Sequence, residues 1–248
     1  MGKLLMYLYG LAIYALAVAT LVYGICFVGG VFVIRTIDNG KAAPLAEALF
    51  INVLLLSLFA LQHSVMARRS FKKYWTKIIP PHLERSAYLL ATCIVLIMLI
   101  VYWRPIPGEV WRIDDFAGGL LIRGVFWMGV GILFTSLFLI DHLSLVGLRQ
   151  IHDRVTGREY REPAFETPLL YQYVRHPQMA GVLLAFWAAP VMTWGHLLFA
   201  LMATLYIRVA VIFEERDLVR TYGGVYESYR KSLPMFFPRP GKRYTDDR

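Results

Sequence analysis

The sequence predicts an all-α, polytopic membrane helix bundle of about five to six spans, with the last apolar block a helical hairpin and both termini cytoplasmic. Three observations predict it. Of 248 residues, 58% are hydrophobic and 17% charged, against roughly 45–50% and 25% in soluble domains. Apolar runs of the ~20 residues needed to cross a bilayer recur along the chain. The remaining lysines and arginines collect in alternate loops, as they do on the cytoplasmic side of membrane proteins.

The first span is Met6 to Ile34, interrupted only by Tyr, Thr, Gly and Cys. Its run far exceeds the ~7–15 residues of a signal-peptide core, and no small-residue cleavage site stands out, so it is expected to stay as a span. The second is Leu45 to Met66, the third Ser86 to Trp103 and the fourth Leu120 to Ile140. Met179 to Phe213 is too long for one crossing. It contains Pro190 and a turn-like Trp194-Gly195-His196, and reads as a tight hairpin, roughly 178–193 and 196–213. Arg68, Arg69, Lys72, Lys73, Lys77 and Arg85 lie between spans two and three. Arg149, Arg154, Arg158, Arg161 and Arg175 precede the hairpin, and eight basic residues from Arg216 to Arg248 follow it. The opposite loops hold Arg35 and Lys41, then Arg104, Arg112 and Arg123. Neither long polar stretch, 141–176 or 214–248, has enough apolar content for a core of its own. The chain therefore reads as one integral-membrane domain, 1–248, with its site segments at roughly 141–181 and 208–238.

Composition also excludes. Cys26 and Cys93 both sit in apolar runs and no C-x-x-C occurs, so neither a disulfide framework nor structural zinc is expected. The net charge of +9 suits loops facing anionic lipid. No basic stripe interleaved with exposed aromatics points to nucleic acid. P-loop, H-E-x-x-H and G-x-S-x-G motifs are absent, and Gly129-Val130-Gly131 lies in a span without the third glycine of a dinucleotide fingerprint. Six histidines are scattered without metal-ligand spacing, so no metal is expected.

Polar groups inside a membrane are functional candidates by default. Gln62-His63-Ser64 ends the second span: either a polar helix end at the headgroups, or a histidine lining an interhelical pocket as a proton acceptor, the side chain type whose ordinary pKa is near neutral. Asp141-His142 ends the fourth. Adjacent helical residues point about 100° apart, so the two are not a direct pair. Arg175-His176-Pro177 starts a helix, since Pro suits its first position. Arg175 and His176 then stand at an end that attracts carboxylates, or anchor the span in headgroups. Gly181, one turn in, permits close approach by a ligand or another helix. Glu214-Glu215 follows an apolar helix at what reads as its negative C-terminus, where a cation belongs. Arg208 and Arg216 would supply it, or a ligand amine would. Donors on one arm of a hairpin and acceptors on the other suit a zwitterionic amino-acid end. Tyr171, Tyr173, Tyr222, Tyr226 and Tyr229 surround these ends, as an interfacial belt or as walls for a flat base or a sulfonium.

The string R-H-P-Q-M-A-G at 175–181, with E-E at 214–215, resembles the integral-membrane methyltransferases, which include the isoprenylcysteine carboxyl and phospholipid methyltransferases. Their pattern is R-H-P-x-Y-x-G, a helical hairpin, then E-E; here Met179 stands in place of the tyrosine. L-F-A-L-Q-H-S-V-M-A-R at 58–68, E-R-S-A-Y at 84–88, D-H-L-S-L-V-G-L-R-Q at 141–150 and Y-G-G-V-Y-E-S-Y-R-K-S-L-P-M-F-F-P at 222–238 are similar to the methanethiol S-methyltransferase subgroup. Nurim and NnrU-type membrane proteins resemble parts of the same pattern. The resemblance implies S-adenosylmethionine as co-substrate in a cytosolic pocket covered by the C-terminal segment. It assigns its contacts to Tyr171, Arg175, His176, Pro177, Met179, Gly181, Glu214 and Glu215. It implies methylation of a small thiol, above all methanethiol to dimethyl sulfide, in the bacterial cytoplasmic membrane. The thiolate is the strong nucleophile, so His142 and His63 are the candidate bases, with Asp141 as orienter or relay. The partners implied are the thiol and the bilayer; no feature of the sequence points to an oligomeric state. The alternatives are methylation of a lipid-soluble acceptor, such as a prenylcysteine or a phospholipid, or a non-enzymatic nurim-like role.

Overall fold

The computed structural model describes residues 2–160 and 164–245. Arg161 and Arg248, counted above toward orientation, lie outside the described residues. In chain order the helices are α1 (Lys3–Gly29), α2 (Leu45–Ala67), α3 (Arg69–Trp75), α4 (Glu84–Tyr102), α5 (Phe116–Leu139), α6 (His142–Leu145), α7 (Leu148–Thr156), α8 (Pro177–Trp187), α9 (Trp194–Tyr222) and α10 (Gly224–Ser232). Two short strands, β1 (Glu109–Arg112) and β2 (Val191–Thr193), pair in one sheet. Helices α1, α2, α4, α5 and α9 are long and apolar enough to cross a membrane.

These helices expose large apolar side chains along their length: Leu4 and Leu8 on α1, Phe50 and Leu54 on α2, Leu121 and Phe138 on α5, Leu201 and Leu205 on α9. Such surface is a liability in water and the solvated face in lipid. The backbone polar groups are engaged within each helix, as a hydrocarbon environment requires.

The described residues form two compact units. The first holds α1 to α4, α6, α7 and Thr193–His196. In it α4 packs against α1 and α2, and α7 against α1. Polar side chains close off the helix ends: Arg35 donates through Nε and Nη2 to the carbonyls of Ile100 and Trp103 at 2.8 and 3.0 Å, matching a cation to the C-terminus of α4. Fully buried Asn52 exchanges two hydrogen bonds with the Arg104 backbone, at 2.7 and 2.9 Å.

The second unit holds Val110–Asp141, α8, α10 and the remainder of α9. Here α8 lies along α5. A Cβ on Gly181 would stand 2.5 Å from the Gly129 carbonyl oxygen and 2.7 Å from the Leu133 nitrogen. One on Gly129 would stand 2.6 Å from the Gly181 oxygen. The two glycines thus let the backbones meet, the small-residue packing typical of membrane helices. Gly181 serves the second of its two sequence readings, approach by another helix.

The final block differs from the symmetrical hairpin expected. Its first arm, α8, has only 11 residues and rises about 16 Å. Pro190 sets the limit: the residue before a proline is driven from the helical region, and the chain turns through Ala188, Ala189 and Pro190 before β2. There Trp111 Nε1 donates to the Ala189 carbonyl at 3.0 Å and the Ile113 N–H to the Pro190 carbonyl at 2.9 Å. The second arm, α9, continues to Tyr222 rather than stopping at Phe213.

Gly181→Val should lower the melting temperature of the detergent-solubilised protein, since overpacking costs about 1–3 kcal/mol. An unchanged melting temperature would contradict the close α5–α8 approach.

Candidate functional site

The R-H-P string forms a hinge between a 3-10 turn, Leu169–Gln172, and α8. Pro177 occupies the first helical position, where its missing N–H leaves no bond unmade, and is fully buried. The N–H groups of Arg175 and His176 donate to the carbonyls of Pro234 and Met235 at 3.1 and 3.0 Å. The chain leaving α10 therefore runs beside the hinge.

The Arg175 side chain is the knot. Nε donates to Glu215 Oε1 at 2.7 Å, and Nη1 donates to the carbonyls of Arg230 and Leu233 at 2.7 and 2.6 Å. Those carbonyls belong to the end of α10, where intrahelical donors run out and a cation is favoured. His176 Nε2 donates to the same Glu215 oxygen at 3.1 Å, and its Nδ1 lies 3.8 Å from Glu214 Oε2. The side chain of Glu215 is 8% exposed and that of Glu214 50%. The network thus buries one carboxylate against an arginine and a histidine and leaves its neighbour facing outward.

Two sequence expectations change here. The carboxylates do not sit at a helix C-terminus, because α9 runs on past them to Tyr222; Glu, Arg and Leu in E-E-R-D-L-V-R are strong helix formers. Their counter-charge is not Arg208 or Arg216 but Arg175, for Glu215. Arg208 Nη1 lies 3.0 Å from Met235 Sδ, and the Arg216 guanidinium lies over the Phe213 ring. Nε and Nη1 of Arg175, a residue that the sequence offers either to an anion or to lipid headgroups, are engaged within the protein.

Aromatic rings pack beside this network. Phe165 meets Tyr222, Tyr226 and Tyr229 at centroid distances of 5.4, 5.6 and 5.2 Å. The Tyr229 hydroxyl donates to the Tyr171 carbonyl at 2.6 Å and lies 3.3 Å from that of Val174, so α10 grips the hinge a second time. The buried Tyr226 hydroxyl has no hydrogen-bond partner among the described residues. Burial pushes the ionisation of Tyr171, Tyr226 and Tyr229 above the ordinary phenol range; Glu214 adds to the shift at Tyr171, and Glu215 and Glu214 at Tyr226. Met179 packs against Leu183, Ile207 and Val211 with Met235 and Phe236.

The remaining candidates divide between the units. His63 belongs to the first. Its ring stacks on Phe59 at 5.3 Å, and the Tyr88 hydroxyl lies 2.9 and 3.0 Å from its two nitrogens. Thr92 Oγ1 lies 3.4 Å from Nδ1 and receives a bond from Gln62 Nε2 at 3.3 Å. No sequence signal marks Tyr88 or Thr92 as a neighbour of His63, although Tyr88 closes the E-R-S-A-Y string. Asp141 falls in the second unit, while His142 opens α6 in the first; both are half-buried. In the same motif Ser144 and Gln150 bond each other, Gln150 Nε2 donating to the Ser144 carbonyl at 3.1 Å. Among the described residues no group of three or more His, Cys, Asp or Glu side chains is placed to hold a metal.

Fold and site define a polytopic membrane protein whose R-H-P hinge and E-E pair join in one polar network. No protein-family model matches the chain, and no solved structure matches it. Curated proteins do. Methanethiol S-methyltransferase 2 of Bradyrhizobium diazoefficiens is 49% identical over 248 residues, covering 100% of this chain and 95% of that protein. The methanethiol S-methyltransferase of Mycobacterium tuberculosis is 45% identical over 240 residues, 97% and 98% of the two chains. Human nurim is 33% identical over 194 residues, 73% and 70%. The chain belongs to the methanethiol S-methyltransferase family, with nurim a more distant relative.

Arg175→Ala should destabilise the protein severely. Removing one partner of a buried pair costs about 3–5 kcal/mol, and the end of α10 loses its clamp as well. Adding Glu215→Gln should recover part of the loss. A single variant that melts like wild type would show that the network does not hold this unit together.

Proposed function

We propose that this protein methylates methanethiol with S-adenosylmethionine, releasing dimethyl sulfide. The observation that carries the reading is 49% identity, across the whole chain, to a protein named for that reaction. S-adenosylmethionine offers a methyl on a sulfonium: the thiol sulfur bonds to that carbon, the donor C–S pair returns to the donor sulfur as S-adenosylhomocysteine forms, and the thiol proton is lost.

The second unit suits the amino-acid end of such a molecule. Glu214, half exposed and beside the neutralised Glu215, is an acceptor for an ammonium. Neutral phenols and Phe165 border the network, and aromatic faces favour cations. In this reading His176, Pro177, Tyr171 and Met179 line the site, while Arg175, Glu215 and Gly181 fix its geometry. Positioning is the main contribution the chain can make to an in-line transfer. His63 and His142 are the groups proposed to accept the thiol proton, with Asp141 assisting. The Tyr88 and Thr92 hydroxyls would hold the His63 ring in place.

A membrane location fits these reactants. Methanethiol and dimethyl sulfide are small and apolar and cross lipid unaided. The basic loops support a site facing the cytoplasm, where the methyl donor is made, and the bacterial relatives support the cytoplasmic membrane.

Calorimetric titration of the detergent-purified protein with S-adenosylmethionine should show binding, weakened at least tenfold in Glu214→Gln without loss of thermal stability. Folded protein with no binding would contradict the enzymatic reading and favour a nurim-like role. His63→Ala or His142→Ala should lower turnover far more than cofactor affinity; full turnover in both would remove the base assignment.

A further inference from the structure

We propose that the Tyr226 hydroxyl is a ligand contact of this site, the donor that receives the α-carboxylate of the amino-acid moiety. The inference deepens the methyltransferase reading and rests on it.

A carboxylate needs donors. Arg175 Nε and Nη1 are bonded to Glu215 and to two α10 carbonyls. His176 Nε2 is bonded to Glu215. The backbone N–H groups of both residues are bonded to Pro234 and Met235, and Pro177 has none to give. The donors that the sequence offered for the carboxylate are therefore largely closed within the protein.

Tyr226 is the reverse case. It is 2% exposed, its ring rests against Phe165 and Tyr229, and its hydroxyl has no partner among the described residues. Buried hydroxyls are nearly always hydrogen-bonded, and an unbonded one calls for an explanation. Local packing does not supply it. Tyr229, one turn further along the same helix, has two carbonyls for its own hydroxyl. Burial first, then the charges of Glu215 and Glu214, keep the Tyr226 hydroxyl in its O–H form; Arg175 opposes them and Tyr229 adds to them. A neutral, desolvated donor that feels the Glu214 charge gives an amino acid its second anchor: ammonium to Glu214, carboxylate to Tyr226.

The test is Tyr226→Phe, which removes one oxygen and keeps the ring. Wild type and variant are titrated with S-adenosylmethionine and with its decarboxylated analogue, and both are melted without ligand. The expected result is about a tenfold or greater loss of affinity for S-adenosylmethionine, as for a lost hydrogen bond to a charged group. Affinity for the decarboxylated analogue should be unchanged, and the ligand-free melting temperature unchanged or higher. Equal affinity of variant and wild type for S-adenosylmethionine would overturn the inference. So would equal loss for both ligands, or a variant that melts well below wild type. Wild type that is folded and binds neither ligand would instead overturn the methyltransferase reading itself.

Discussion

The second unit turns on a single buried ion pair, Arg175 with Glu215. Taken alone, such a pair is weak evidence of stability, because desolvating two charges offsets most of their attraction. Here the arginine also receives two carbonyls from the end of α10, and the carboxylate also receives His176. Segments 40 and 58 residues apart in sequence meet on one side chain. The arrangement determines what the neighbouring residue can do. With Glu215 fixed and neutralised, Glu214, one residue earlier on the helix, is held half out of the protein with its acceptor capacity available. The pair is thus the frame, and Glu214 is the carboxylate that it leaves facing outward.

A second constraint comes from the solvent. Lipid satisfies the apolar faces of the spans but offers nothing to polar backbone, so irregular chain must find its own partners. The irregular segment after α8 does so through Trp111 and Ile113. The close α5–α8 contact makes up for the shortness of α8, because two glycines let the backbones approach without intervening side chains. A small apolar acceptor suits such a molecule, since neither it nor its product asks the bilayer to accommodate charge.

Much of this was legible in the sequence. The four early spans were readable because apolar runs of spanning length have few other meanings. R-H-P was readable as a helix start because proline's chemistry fixes its position. Less visible was anything that depends on a partner far along the chain. Glu214-Glu215-Arg216-Asp217 looks like the end of a membrane helix, yet its residues favour helix and α9 continues through them. The close approach of Gly181 to Gly129, 52 positions earlier, is likewise invisible to spacing. Arg175 stands out in the sequence as a polar residue at a helix start, but no spacing shows that its Nε and Nη1 turn inward. The strands β1 and β2 are too short to leave a period-two signal, and they exist only because each has the other.

Transfer of a methyl group from a sulfonium to methanethiol is measured by supplying the purified protein in lipid vesicles with methanethiol and S-adenosylmethionine bearing a trideuterated methyl, and weighing the dimethyl sulfide in the headspace. Dimethyl sulfide carrying one trideuterated methyl should form in proportion to protein. Headspace free of labelled product, over protein that is folded and binds the methyl donor, would contradict the transfer.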